Sequence, residues 1–247
     1  MPKVRNLVES TIKKYEGRDY FNHISKINNV TIKIVDFEEI GFTNHAHEVI
    51  KSDYLRYYVL YKYGGVWSDF DIIYISSIEN KILSEKESVI FRDYIGNHEY
   101  YPIAFFLAKP NNKFFGHLLN NIDKTLNYFK LDYQTIGSYL FKKLLIDNRE
   151  NIKNFDLEIL PAYLYLPYNC TEISSCLLSL EDKISNHIHK INQDVFRIHW
   201  FNGDPNMKSY INNLDKSLES NTFFIKYFLD IYVNQYFKVI ESPQNIK

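Results

Sequence analysis

Two aspartates one residue apart, Asp69 and Asp71, follow a Gly-Gly pair and a tryptophan in the stretch YKYGGVWSDFDIIY, residues 61 to 74. In an extended chain, side chains at i and i+2 point to the same side, so the two carboxylates can be presented together. Their repulsion calls for a cation. Hard divalent ions such as Mg²⁺ and Mn²⁺ take oxygen ligands, and commonly use one or two carboxylates when a substrate phosphate completes the shell. A diphosphate is the natural third partner. Asp-X-Asp alone also fits a solvated turn at a strand end, so its surroundings must decide.

The elements around the pair narrow the choice. SDYLRYYVLYKYGG reads as a helix of about three turns, with Ser52 as its cap, Asp53 in the first turn and Gly64 ending it in the left-handed conformation. VWSDFDIIYI reads as a strand beginning directly after the glycines. The Gly-Gly turn folds the helix back against the strand that bears the acids. Asp53 and Arg56, three residues apart, are neighbours on one helix face, where an ordinary ion pair is the simplest reading. Further strands are expected at NVTIKIVDF, ESVIFRDY, PIAFFLAK and LEILPAYLYLP. Helices are expected at NLVESTIKKYEG, NKFFGHLLNNIDKTLNYF, TIGSYLFKKLLIDN and the C-terminal run. Strands interspersed with helices predict an α/β layer fold with a mixed sheet. With no repeat or Pro/Gly-rich linker, residues 1–247 read as one domain, with 221–247 a C-terminal helical appendage.

SDYLRYYVLYKYGGVWSDFDIIYISSI resembles the signature of the DXD-containing glycosyltransferases of the family-32 type, related to the large clostridial glucosylating toxins. Small-Asp-x-x-Arg, an apolar helix and Gly-Gly-x-aromatic-x-Asp-x-Asp recur in that order and spacing. The resemblance implies a Rossmann-like GT-A fold with a mixed, mostly parallel central sheet, acting on a nucleotide-diphospho-sugar. It also implies that Asp71 and Asp69 engage Mn²⁺ or Mg²⁺ and the donor, while Asp53 and Arg56 hold donor-sugar hydroxyls. Trp67 and Ser68 then border the donor pocket, although a core aromatic explains Trp67 equally well. YQTIGSYLF, with Thr135, Gly137 and Ser138, is similar to the short segment that starts a helix beside the acceptor cleft; a capped helix start is the alternative. VFRIHWFNGDPNMKSY is similar to the family's C-terminal His-aromatic segment, which makes His199 a third metal candidate and places Trp200 on the acceptor side. The family's opening strand is shortened, replaced or missing here, because MPKVRNLVEST leads almost at once into a helix.

On this reading a divalent ion stabilises the departing diphosphate as a Lewis acid, and the protein positions sugar and acceptor. The resembled families retain anomeric configuration. Asp93, Glu99 and Glu172 remain open as bases, each with a solvated-loop alternative, and Tyr94, Tyr100 and Tyr101 beside His98 offer an acceptor platform. His187 and His189 lack an acidic neighbour. The expected donor is a UDP- or GDP-sugar and the acceptor a glycan or lipid-linked saccharide. The alternative is a non-catalytic GT-A-like protein that binds a sugar-nucleotide or glycan. A phosphatase of the haloacid dehalogenase type also uses Asp-X-Asp, but it leaves the Gly-Gly turn unexplained.

Composition limits the partners. A formal net charge of -1 gives no basic field for nucleic acid. Cys170 and Cys176 form no disulfide framework. No run of about 18 apolar residues occurs, and Lys226, Asp230, Asn234, Gln235 and Lys238 interrupt the C-terminal run at helical spacing. A cytoplasmic protein assembling a surface polysaccharide is expected, with peripheral membrane contact through residues 221–240.

Overall fold

The computed structural model of the chain describes residues 21–76, 85–122, 132, 134–146, 152–170, 172–178, 194–213 and 222. The expected N-terminal helix, the opening-strand region, His187, His189 and the C-terminal helical run lie outside the described residues, apart from Thr222 at the edge of that run.

A short helix α1 (Phe21–Ile24) is followed by the long helix α2 (Glu48–Lys62). This helix starts earlier than Ser52 because His47 caps it, its Nδ1 accepting the Val49 N–H at 3.3 Å. Ser52 therefore lies inside the helix. Ile50, Asp53, Tyr54, Tyr57 and Leu60 form its buried stripe, at the spacing expected of a core-facing helix. An acid thus occupies an apolar stripe. Gly64 ends the helix with φ +66°. A Cβ there would lie 2.5 Å from the Pro110 nitrogen, so two backbones meet too closely for any side chain.

Strands β1 (Gly65–Ser68), β3 (Ser88–Ile95), β4 (His98–Tyr100), β5 (Phe105–Ala108) and β6 (Leu157–Pro161) form the larger sheet. β1 and β3 pair antiparallel with β5, β4 pairs antiparallel with β3, and β6 runs parallel to β3 from Ser88↔Leu157 to Arg92↔Pro161. The fold is α/β and its sheet is mixed, as expected. Parallel pairing is the minority among the described residues. The segment expected as an early strand, residues 29–37, has no strand partner there, and Ile34 is 78% exposed. Antiparallel β2 (Ile72–Tyr74) and β7 (Arg197–His199) form a second, two-stranded sheet.

Helix α3 (Lys113–Asn120) is capped by Asn112, whose Oδ1 accepts from Phe114 and Phe115. It packs with α2 and α4 (Ser138–Phe141), continued by a π-helical turn Lys142–Ile146, around Tyr57, Phe106, Phe114, Phe115 and Phe141. A second cluster of Phe91, Phe105, Tyr165 and Phe196 lies between the sheets' ends. A third, around Trp200, joins β7 to α5 (Ile173–Leu177) and α6 (Pro205–Asn212). Arg197 is fully buried, and its guanidinium lies 3.8 Å from the Tyr74 ring centre and 3.6 Å from that of Phe105, with none of its nitrogens hydrogen-bonded among the described residues. Burial pushes its pKa down to about 10. Among the described residues no helix is long and apolar enough to cross a membrane.

Candidate active site

The acid pair does not sit on one continuous strand. The chain leaves the larger sheet after Ser68, turns at Asp69 to Asp71 and enters the second sheet at Ile72. The turn is pinned by the Asp69 N–H to the Ala104 carbonyl at 2.9 Å and the Ile72 N–H to the Asp69 carbonyl at 3.3 Å. Period-two alternation therefore fails here, and the carboxylates face different partners. Phe70 between them is 98% exposed.

Asp69 faces helix α2. Its Oδ1 accepts the Trp67 indole N–H at 2.8 Å and lies 3.4 Å from Arg56 Nη2. The same Nη2 is 3.0 Å from Asp53 Oδ1, so one guanidinium bridges two acids. Asp53 and Arg56 are only 2% and 4% exposed, unlike the exposed local pair that helix spacing alone allows. Arg56 Nη1 donates to the Ile103 carbonyl, and the guanidinium stands 5.3 Å from the Trp67 ring centre. Burial raises Asp53 to a pKa of about 7, Arg56 opposing the rise and Asp69 adding to it. Burial also raises Asp69, against the pull of Arg56 and the Trp67 hydrogen bond. Asp53 can therefore hold or release a proton near neutrality.

Asp71 faces the second sheet. Its Oδ1 lies 3.2 Å from His199 Nε2, its Oδ2 accepts the Asn202 N–H at 3.0 Å, and its carbonyl accepts the Trp200 N–H at 2.6 Å. Burial acts to raise its pKa, but the imidazole and the Asn202 amide outweigh it and the carboxyl titrates below its ordinary range. Phe201 stacks on His199 with ring centres 4.0 Å apart, and its φ of +54° is left-handed. That conformation costs a bulky residue roughly 1–2 kcal/mol.

The segment before α4 closes the Asp53 side. A Cβ on Gly137 would lie 2.8 Å from Asp53 Oδ2 and 2.9 Å from Ile103 Cδ1. The buried Tyr57 hydroxyl donates to the Ile136 carbonyl at 2.9 Å, which ties this segment to α2. Ser138 Oγ donates to the Tyr100 hydroxyl at 3.4 Å. Ser68 Oγ donates to the Asp69 carbonyl at 3.2 Å. Trp200 departs from the acceptor-side expectation. Its side chain is 3% exposed in the third core cluster, and its backbone N–H donates to the Asp71 carbonyl. Glu172 is engaged with Asn169 in a local turn, Asp93 accepts the Tyr94 N–H, and Glu99 lies 3.7 Å from Arg92.

Backbone groups are what the sequence could not signal: the Ile103 and Ala104 carbonyls and the Asn202 N–H carry no side-chain code. The acid within the apolar stripe of α2 was a readable signal of burial. Among the described residues no three His, Cys, Asp or Glu side chains close a metal cage. Asp71 Oδ1 and His199 Nε2 nevertheless stand at a separation close to the roughly 3 Å edge of an octahedron whose ligands lie about 2.1 Å from the ion. This donor pair fits a divalent ion whose remaining ligands are water or substrate oxygens.

Residues 3–89 match the family described as the glycosyltransferase sugar-binding region containing DXD motif. Over those residues the chain is similar to a DXD glycosyltransferase region. Inositol phosphoceramide mannosyltransferase 1 of Schizosaccharomyces pombe is 29% identical over 133 residues, which are 50% of this chain and 39% of that protein. The chain therefore spans well under half the length of this relative. No solved structure matches. The matched region contains Asp53, Arg56, Asp69 and Asp71, and their partners Gly137 and His199 come from beyond it.

Proposed function

We propose that the protein is a divalent-cation-dependent glycosyltransferase that moves a sugar from a nucleotide-diphospho-sugar to a glycan or lipid-linked acceptor with retention of configuration. The observation that supports this best is the division of the acid pair, Asp69 with Asp53 and Arg56 on one side and Asp71 with His199 on the other. The first group supplies hydrogen-bond acceptors and a fixed cation for sugar hydroxyls. The second supplies a donor pair for Mn²⁺ or Mg²⁺. When bound, that ion supplies Lewis-acid stabilisation of the diphosphate leaving group.

This chain's residues then do the positioning. Arg56, held by the Ile103 carbonyl and the Trp67 ring, keeps Asp53 and Asp69 at fixed separations, so little reorganisation is needed when the sugar binds. Gly137, where a Cβ would have no room, lets the segment before α4 pack directly against Asp53 Oδ2. Half-buried Ser68 and Trp67 border the donor, while Tyr100 with Ser138 forms the acceptor side. The name of the fission-yeast relative makes mannose the first sugar to test and an inositol-containing lipid the first acceptor. A lipid acceptor would bring the protein to a membrane face, in keeping with a cytoplasmic, peripheral location.

The test is thermal unfolding with GDP-mannose, UDP-glucose, UDP-galactose, GDP or UDP, with and without Mn²⁺, beside Asp71→Asn. A folded-state ligand raises the apparent stability by mass action. A Mn²⁺-dependent rise for one donor, absent in Asp71→Asn, followed by sugar transfer or donor hydrolysis, carries the proposal. Donor binding without transfer or hydrolysis favours the non-catalytic binder, and no response to any donor removes both.

A further inference from the structure

The segment after β7 wraps around one residue. Three successive contacts converge on Asp71: His199 Nε2 on Oδ1, the Trp200 N–H on the carbonyl and the Asn202 N–H on Oδ2. Phe201, placed between the last two, makes none of them. Its ring covers one face of the imidazole at 4.0 Å with planes 27° apart, and its backbone is left-handed at φ +54°.

Large side chains adopt that conformation rarely, and keep it where the surroundings over-determine it. Both flanks here are anchored. On one side His199 is paired with Ile72 in the β2–β7 ladder. On the other, the Phe201 carbonyl accepts the Asp204 N–H at 2.8 Å, and Asp204 caps α6 through the Asn206 and Met207 N–H groups. Met207 is fully buried in the core cluster that holds Trp200. The reversal at Phe201 lets a strand and a helix start, each fixed elsewhere, deliver an imidazole and an amide to the same carboxylate.

We propose that Phe201 is a positioning residue for the Asp71–His199 pair, its ring setting the plane of the imidazole and its left-handed backbone turning the Asn202 N–H onto Asp71. Its importance for cation binding rests on the function proposed above; the geometry itself does not. Groups that orient metal ligands typically change affinity 10–100-fold when removed.

The test compares Phe201→Gly, which accepts the backbone and lacks the ring, with Phe201→Leu, which keeps apolar bulk without a flat face, and Phe201→Tyr, which keeps both features. Nitrogen NMR of the His199 imidazole in the metal-free protein, assigned with His199→Gln, is one readout. The other is the Mn²⁺ dissociation constant in the presence of GDP or UDP, measured from the free-Mn²⁺ resonance. Phe201→Gly and Phe201→Leu should shift or broaden the imidazole signals and raise the Mn²⁺ dissociation constant about tenfold or more, whereas Phe201→Tyr should match wild type in both. Unchanged imidazole signals and Mn²⁺ affinity in the Gly and Leu variants would overturn the assignment. If wild type binds no Mn²⁺, the cation reading falls, and the metal-free NMR comparison alone decides whether Phe201 orients His199.

Discussion

Asp71 Oδ1 and His199 Nε2 are separated by 128 residues in sequence and 3.2 Å in space, brought together where Ile72 faces His199 in the β2–β7 ladder. Asp69, two residues from Asp71, instead faces Arg56. The two aspartates of the motif therefore have different neighbours, and on the proposed function their variants should differ in kind.

Asp71→Asn should abolish Mn²⁺-dependent donor binding and lower transfer at least about a hundredfold, the scale of losing one preorganised electrostatic group in a closed site. Asp69→Asn should retain Mn²⁺ binding and lose affinity for the sugar part of the donor. Titrations with GDP-mannose and GDP, or their UDP counterparts, separate these effects. Equal loss of Mn²⁺ affinity in both variants would sink the division of labour.

Arg56→Ala leaves the buried Asp53 and half-buried Asp69 carboxylates without their shared cation, and breaking a buried pair in this way costs about 3–5 kcal/mol. Chemical denaturation should show that loss at pH 8. Arg56→Lys should recover part of the stability but little activity, since an ammonium cannot reproduce the fork that reaches Asp53, Asp69 and the Ile103 carbonyl. Wild-type activity in the Lys variant would refute the positioning role.

The pH dependence of stability carries a definite sign. Burial lifts Asp53 from its ordinary value to about 7, so the folded protein holds this proton more tightly than the unfolded chain. Its contribution is fully present below the unfolded pKa near 4 and is lost as pH rises through about 7. Metal-free wild type should lose stability between pH 5 and pH 8, and Asp53→Asn should flatten that slope. Urea midpoints at the two pH values give the comparison, and identical slopes would place the titration elsewhere.

Gly137→Ala introduces a methyl 2.8 Å from Asp53 Oδ2 and 2.9 Å from Ile103 Cδ1. Overpacking of this kind costs about 1–3 kcal/mol. On the proposed function, activity should fall further than this stability loss implies, because the displaced group is the carboxylate assigned to the donor sugar. A variant with lowered melting temperature and unchanged kcat/KM would show that the close approach is only a packing constraint.

Much of this arrangement was legible beforehand. The spacing of Asp53, Arg56, Gly64, Trp67, Asp69 and Asp71 indicated a helix folded back on the acid pair, and His199 stood out as the distant partner. The continuous strand through VWSDFDIIYI was not borne out, because hydrophobic alternation cannot reveal that Ala104 fixes Asp69 in a corner and that Ile72 joins another sheet. Ser52 looked like a cap because its type and position suited one, but His47 and Glu48 extend the helix by a turn. The resemblance put Trp200 on the acceptor side; its side chain is instead buried in the core cluster with Ile198 and Met207. Asn202 was invisible because its contribution is an amide that every non-proline residue possesses.

Asp71 is tied through His199 to the second sheet, whereas Asp69 is tied through Ala104 to the edge of the larger one, and Arg197 spans from Tyr74 in the first of these to Phe105 in the other. A flat guanidinium stacked between two rings acts as a spacer of fixed thickness. Evolutionary drift in the girth of residues 74, 105 or 197 would thus retune the gap between the two carboxylates, and on the proposed function would alter donor choice while Asp69 and Asp71 keep their identity.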